Sequence, residues 1–222
     1  MKKIEIFENQ RASNYDQFVE AWIPNYHYFM ETVPKLLKET ARKDLLVVGC
    51  GAGTEIEYMV QYSDDWEITG TDPSPEMIAQ AQSRLGEFEH VKLWKGLVSD
   101  MDLSKTYGAA TLLLVLHFME DDGTKLSLLK DIAERLEEGA PFIMLDITGD
   151  PTQMEENLEI LRLLIPNDYD EQAIQNRIER IRHKLHMVSE DRIIELLIEA
   201  GFERPHRFFQ TSIYMGWITQ KK

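Results

Sequence analysis

The 222-residue chain contains one cysteine, Cys50, so no intramolecular disulfide can form and nothing points to an oxidising compartment. Positive charge is scarce as well. Lys and Arg number 24 against 39 Asp and Glu, a formal charge of −15 that repels phosphate backbones and argues against nucleic acid as a partner. A local basic run exists at Arg177, Arg180, Arg182, His183 and Lys184, but such runs are most often the solvated face of a helix. Long apolar runs are missing too. The longest uncharged apolar stretch, Ala109 to Met119, has eleven residues, against the ~18 needed to span a bilayer. After Lys2 and Lys3, Glu5 and Glu8 interrupt any secretory h-region. The expectation is a soluble cytoplasmic protein with no membrane partner.

What is present is ordinary globular material, 43% hydrophobic and 28% charged, arranged in an α/β pattern. Leu45–Val48, Ala110–Leu116 and Pro141–Ile147 are short, nearly continuous apolar runs, the signature of strands buried on both faces. Weaker strands are expected at Glu67–Thr71 and Val91–Trp94. Helical patterns lie between them at Thr54–Tyr62, Pro75–Leu85 with Ser74 as its cap, and Lys125–Leu136. Strands alternating with helices imply right-handed crossovers and a mostly parallel sheet covered on both faces.

The flanks differ from this core. Residues 1–40 form an aromatic-rich helical cap, with Tyr15, Phe18, Trp22, Tyr26, Tyr28 and Phe29 on two helices broken at Pro24. Residues 41–150 are the core and 151–188 a helical insert with stripes Met154, Leu158, Leu161, Ile165 and Ile174, Ile178, Ile181, Leu185. Residues 189–222 supply a last helix, stopped at Gly201, and an edge hairpin over 206–210 and 212–219. The whole reads as one domain.

The sharpest local signal is LLVVGCGAGTE, a buried strand running into Gly49, Gly51 and Gly53 and then into a helix. Glycines there let backbone approach a ligand, and the helix N-terminus offers free N–H groups; a tight turn alone also needs glycine. The third glycine comes one position early for a dinucleotide fingerprint, with Thr54 in its place, which disfavours a nicotinamide cofactor. No Gly-Lys-Ser/Thr follows, which excludes an NTPase loop. Asp72, at the end of the second strand, is placed to accept both hydroxyls of a ribose, or alternatively to form an Asx turn before Pro73-Ser74-Pro75.

With GCGAG after a buried strand, then TGTDPSPEMI, TLLLVLHFM and FIMLDI, the chain resembles the class I S-adenosylmethionine-dependent methyltransferases, closely over about residues 40–150. The final helix and hairpin are similar to that family's C-terminal end. The resemblance implies a Rossmann-like fold with a seven-stranded sheet of order 3-2-1-4-5-7-6, strand 7 antiparallel, and a helical lid. It also implies S-adenosylmethionine as cofactor and a small-molecule methyl acceptor. Carried over by position, Gly49, Cys50, Gly51 and Gly53 pass the cofactor's methionine part, and Asp72 holds the ribose. Pro73 and Met77 flank the adenine, and Leu97 and Val98 line its edge. Leu114 faces the sulfonium side, and Tyr15 closes over the cofactor. The sequence departs from the family at Val47, where an acidic residue is usual, at Leu97 after Gly96, and at Gly108. Ser99 and Asp100 are candidates to replace the missing adenine carboxylate.

A general base is needed only for an acceptor that is protonated at the reaction pH. His117, after the fourth strand, is the best-placed candidate, and Tyr26 and His27 are weaker ones. His183 and His186 lie three apart, but no further ligand completes a metal site, so none is expected. Two rival readings stand beside methyl transfer: a carboxy-S-adenosylmethionine synthase-like enzyme, which the C-terminal half resembles and in which Arg180 falls near the donor-binding arginine, and a non-catalytic cofactor- or partner-binding protein.

Overall fold

The computed structural model describes residue 6, residues 15–166 and residues 169–222, apart from the side chains of 15–18. Two helices, α1 (Tyr15–Trp22) and α2 (Tyr26–Leu37), lead into β1 (Asp44–Val48), α3 (Thr54–Tyr62), β2 (Glu67–Asp72), α4 (Pro75–Leu85) and β3 (Val91–Lys95). Then come β4 (Ala109–Leu113), α5 (Thr124–Ala133), β5 (Pro141–Ile147), the insert helices α6 (Pro151–Leu164) and α7 (Glu171–Lys184), α8 (Glu190–Glu199), and the hairpin β6 (His206–Thr211) with β7 (Tyr214–Gln220).

The strands form one sheet of order β3-β2-β1-β4-β5-β7-β6. Neighbours from β3 to β5 pair in parallel, and β7 runs antiparallel to both β5 and β6. This is the expected topology. The central strands are buried along their whole length because helices cover both faces. On one face Leu45, Val47, Ala109 and Ile143 pack with α2, α3 and the insert; on the other Leu46, Ala110, Leu112 and Phe142 pack with α5 and α8.

The insert shares the first of these cores. Leu158, Leu161, Ile178 and Ile181 are almost fully buried and cluster with Phe29, Ile147 and Tyr214. The expected Ser74 cap forms, Ser74 Oγ accepting from Met77 N at 3.2 Å to start α4; Asp150, not anticipated, accepts from Thr152 N and Gln153 N to start α6. One boundary differs. The fourth strand stops at Leu113, three residues before its apolar run ends, because Leu114 turns into a left-handed conformation with φ 61° and Leu116–Phe118 form a 3-10 turn. No described helix is long and apolar enough to cross a membrane.

Candidate functional site

Sheet order reverses at β1: β2 and β3 lie outward on one side of it, and the chain then returns to place β4 on the other. Open α/β sheets bind ligands outside the carboxyl ends of the strands at such a point, and the glycine turn lies there. Gly49, Gly51 and Gly53 all have positive φ, at 71°, 53° and 87°. Substitution has no room at two of them. A Cβ on Gly49 would sit 2.5 Å from Val115 Cγ2, and one on Gly53 would sit 2.7 Å from Leu85 Cδ1. Gly49 N and Cys50 N both donate to Thr71 O, at 2.8 and 3.0 Å, which fastens the turn to the end of β2.

Asp72 stands over that turn. Its Oδ2 accepts from Gly51 N at 3.1 Å and its Oδ1 from Ser74 N at 2.8 Å. The Asx-turn and ligand-binding readings are therefore compatible, since a carboxylate offers about four lone-pair sites and two remain. Burial pushes the carboxyl above its ordinary range, and the two backbone N–H groups partly offset this. Pro73 and Met77 follow directly, Met77 buried in the first turn of α4.

Thr71 Oγ1, at the end of β2, donates to Gly96 O at 2.7 Å, tying the β3 exit to β2. Leu97 and Val98 then enter a 3-10 turn whose carbonyls at Ser99 and Met101 accept from the buried Arg135 guanidinium, at 3.1 and 2.8 Å. Asp100 caps this turn by accepting from Leu97 N at 3.4 Å, so its carboxylate is engaged locally. Cys50 is buried, and burial together with the nearby Asp72 and Glu55 carboxyls holds its thiol well above the ordinary range; it is no nucleophile. Leu114 is buried beside the turn, with its strained backbone held by a 2.7 Å bond from its N–H to Leu145 O. Tyr15 opens α1, and its side chain lies outside the described residues.

His117 is buried beside an acid. Its Nδ1 lies 2.8 Å from Asp146 Oδ1, and both groups are buried. Asp146 also accepts from the backbone N–H of Leu116, His117 and Ile147. With Asp146 as the acceptor, Nδ1 is the ring nitrogen that faces it and Nε2 is the one turned away. Lys125 fixes the same turn from below, donating to Leu116 O and His186 O. The weaker candidates do other work. His27 bonds Tyr58 at 2.6 Å and joins α2 to α3 on an exposed surface, while Tyr26 is buried in the apolar cluster. His183 pairs with Glu179, His186 lies beyond the end of α7, and no group of metal-holding side chains occurs among the described residues.

Two features escaped the sequence reading. Asp146 is an acid inside the apolar run PFIMLDI, and Glu55 falls on the buried stripe of α3 with Ile56, Met59 and Val60. Either could have been noticed as a charge at a core position. A cleft of about 600 Å3 lined by Arg42, Gly108, Glu137, Pro141 and Arg204 opens at the opposite, N-terminal ends of the strands, and Arg42 is already paired there with Asp44 and Glu137.

Residues 46–142 match the family model of a methyltransferase domain. Over 96% of its length the chain is 23% identical to 92% of a carboxy-S-adenosyl-L-methionine synthase from Yersinia pseudotuberculosis. Among solved structures, one from Nostoc punctiforme assigned to the O-methyltransferases superposes with TM-score 0.70 at 15% identity; it covers the whole chain, which spans 64% of the Nostoc protein. Magnesium protoporphyrin IX methyltransferase from Synechocystis, with bound S-adenosylhomocysteine, superposes with TM-score 0.66 at 12% identity over 95% of both chains.

Proposed function

The chain has the class I methyltransferase fold, with a methyltransferase-domain match over residues 46–142, and on that premise we propose that it transfers a methyl group from S-adenosylmethionine to a small-molecule acceptor. The observation that carries the reading is Asp72, anchored by Gly51 N and Ser74 N over a turn of three left-handed glycines. The residues present fit the cofactor. The turn presents glycine backbone where a nucleoside's tail would pass, Asp72 keeps two free lone-pair positions for ribose hydroxyls, and the Val98–Asp100 turn is stiffened by Arg135 where the adenine edge would lie.

When bound, the cofactor supplies a methyl group on a sulfonium whose departure leaves a neutral thioether. The protein's task is then chiefly to place an acceptor in line and to exclude water. His117, aligned by Asp146, takes the acceptor's proton at Nε2 when the nucleophile is a hydroxyl or similar protonated group. The buried helices of the cap and insert, packed on the same face as the glycine turn, supply the acceptor's surroundings. The formal charge of −15 favours a small acceptor over RNA or DNA.

Isothermal titration with S-adenosylmethionine, S-adenosylhomocysteine and NAD tests this directly. Saturable binding of both sulfur nucleosides, abolished in Asp72→Ala, supports it; binding of NAD alone, or of nothing, overturns it.

A second reading is favoured by the Yersinia relative and by the insert: carboxyl rather than methyl chemistry on the same nucleoside. Arg177 and Arg180 lie on α7, with Arg177 over the Trp22 ring and acting on the buried Tyr214, whereas Arg182 is committed to Glu155 and Glu179. Mass spectrometry of the nucleoside carried through purification separates the two, since a carboxyl replacing a hydrogen of the methyl group makes the cofactor heavier by the mass of CO2.

A further inference from the structure

Glu55 is the second residue of α3, immediately beyond the glycine turn, and its side chain points into the core. The residue is 7% exposed, and its Oε1 is buried with no hydrogen-bond partner among the described residues. Beside it lies the hydroxyl of Thr111, on a fully buried residue and close enough to favour the ionised carboxyl by hydrogen bonding, so the pair partly satisfies itself and Oε1 keeps the unmet acceptor capacity. A buried carboxylate oxygen without a donor calls for an explanation, and a bound group that supplies the donor is one.

Their location shows what is missing. Thr111 pairs in register with Val47, and Val47 with Gly70, so the three form one row across β4, β1 and β2 directly beneath the glycine turn. The bare Gly70 leaves room on that row for Ile56 and Cys50 Sγ, which a Cβ would approach to 2.7 and 3.1 Å. Cys50 feels both Glu55 and Asp72, so the two carboxyls flank the turn together. Val47 occupies the position where class I methyltransferases usually carry an acid. A carboxyl from α3 thus reaches the same row, on the same face of the sheet, that a strand carboxylate at 47 would have served.

We propose that Glu55 is the anionic anchor for the α-ammonium group at the amino-acid end of the cofactor, supplying from the helix the charge that Val47 lacks. The inference rests on reading the glycine turn as an S-adenosylmethionine site. An ammonium provides what Oε1 lacks, a donor with full positive charge, and pairs with the buried carboxylate at the end of the ligand opposite Asp72.

The test compares S-adenosylhomocysteine with two relatives, 5′-methylthioadenosine, which lacks the amino-acid end, and the deaminated S-(3-carboxypropyl) thioadenosine. Affinities are measured by titration calorimetry on the wild type, Glu55→Gln and Thr111→Val. The wild type is expected to lose at least tenfold when the amino group is removed from the ligand. Glu55→Gln is expected to bind S-adenosylhomocysteine at least tenfold more weakly while keeping methylthioadenosine within about twofold. Thr111→Val is expected to shift in the same direction by a smaller factor. Equal weakening of every ligand, or none, overturns the proposal, and the wild-type comparison stands even where Glu55→Gln does not fold. Failure of the wild type to bind any of the three overturns the cofactor reading itself, a result distinct from binding all three with indifference to the amino group.

Discussion

A single residue, Glu55, has an energetic consequence independent of any ligand. Burial lifts its carboxyl from the ordinary 4.5 to about 7, a hydrogen bond from Thr111 offsetting a little, and Cys50 is the titratable group that feels its charge. An acid whose folded value is raised keeps its proton in the fold after the unfolded chain has lost it. Stability therefore falls as pH rises from about 4.5 to 7 and is level above, a total cost of about 3 kcal/mol. Glu55→Gln cannot ionise, so it is expected to match the wild type near pH 4 and to exceed it by about 1–3 kcal/mol at pH 8, measured by urea unfolding without cofactor. Identical pH profiles for the two proteins would show that the carboxyl is not held protonated. A second residue-scale prediction concerns Gly49, whose φ of 71° and closeness to Val115 leave no room for a methyl. Gly49→Ala is expected to cost about 1–3 kcal/mol and to abolish nucleoside binding, with Val115→Ala restoring some stability by removing the clash. The glycines and Asp72 were legible in the sequence because their meaning is local: a strand end, a turn, a spacing. Glu55, Thr111 and Asp146 were not, because each acquires its role from a register or a crossing that joins distant segments. Asp146 reads as an odd acid in a strand until the end of β4 brings His117 within 2.8 Å of it.

At the scale of elements, the apolar runs located the strands well, and hydrophobic periodicity located the helices. Where the reading overshot, at the end of β4, the cause was backbone conformation: nothing in Leu-Leu-Val-Leu announces that Leu114 leaves the strand with positive φ. The insert teaches a similar point. Its stripes were legible at Met154, Leu158, Leu161 and at Ile174, Ile178, Ile181, but which surface they met was not, since any apolar face can satisfy a stripe. In the structure they join the core that holds Phe29 and Tyr214, so α6 and α7 are built into the fold. Two outcomes are expected. Amides in the middle of α6 and α7 should show hydrogen-exchange protection in the absence of ligand, and Ile178→Ala should lower stability by about 2–4 kcal/mol in chemical denaturation. Rapid exchange across both helices without cofactor would instead mark the insert as a lid that orders on binding.

For the whole molecule the governing quantity is the formal charge of −15, spread over a surface on which ion pairs such as Arg192 with Asp121 and Arg207 with Glu190 neutralise only some of the excess acids. Carboxylates left over repel one another through solvent, a cost that grows as ionic strength falls because the screening length rises from about 10 Å at 0.1 M to about 30 Å at 0.01 M. Adding sodium chloride from about 0.01 to 0.2 M should therefore raise the melting temperature by a few degrees, since relief of net repulsion outweighs the weakening of exposed pairs worth less than about 1 kcal/mol each. The same field acts on anything that approaches. A polyanion is repelled before it reaches the glycine turn, whereas a small acceptor of neutral or positive charge is not, so the protein should pass a heparin column unretained at 0.05 M salt and show no mobility shift of duplex DNA or tRNA. Retention on heparin that falls steeply with salt would mean that the arginines of α7 form a patch strong enough to override the global field, and the acceptor would then have to be sought among nucleic acids.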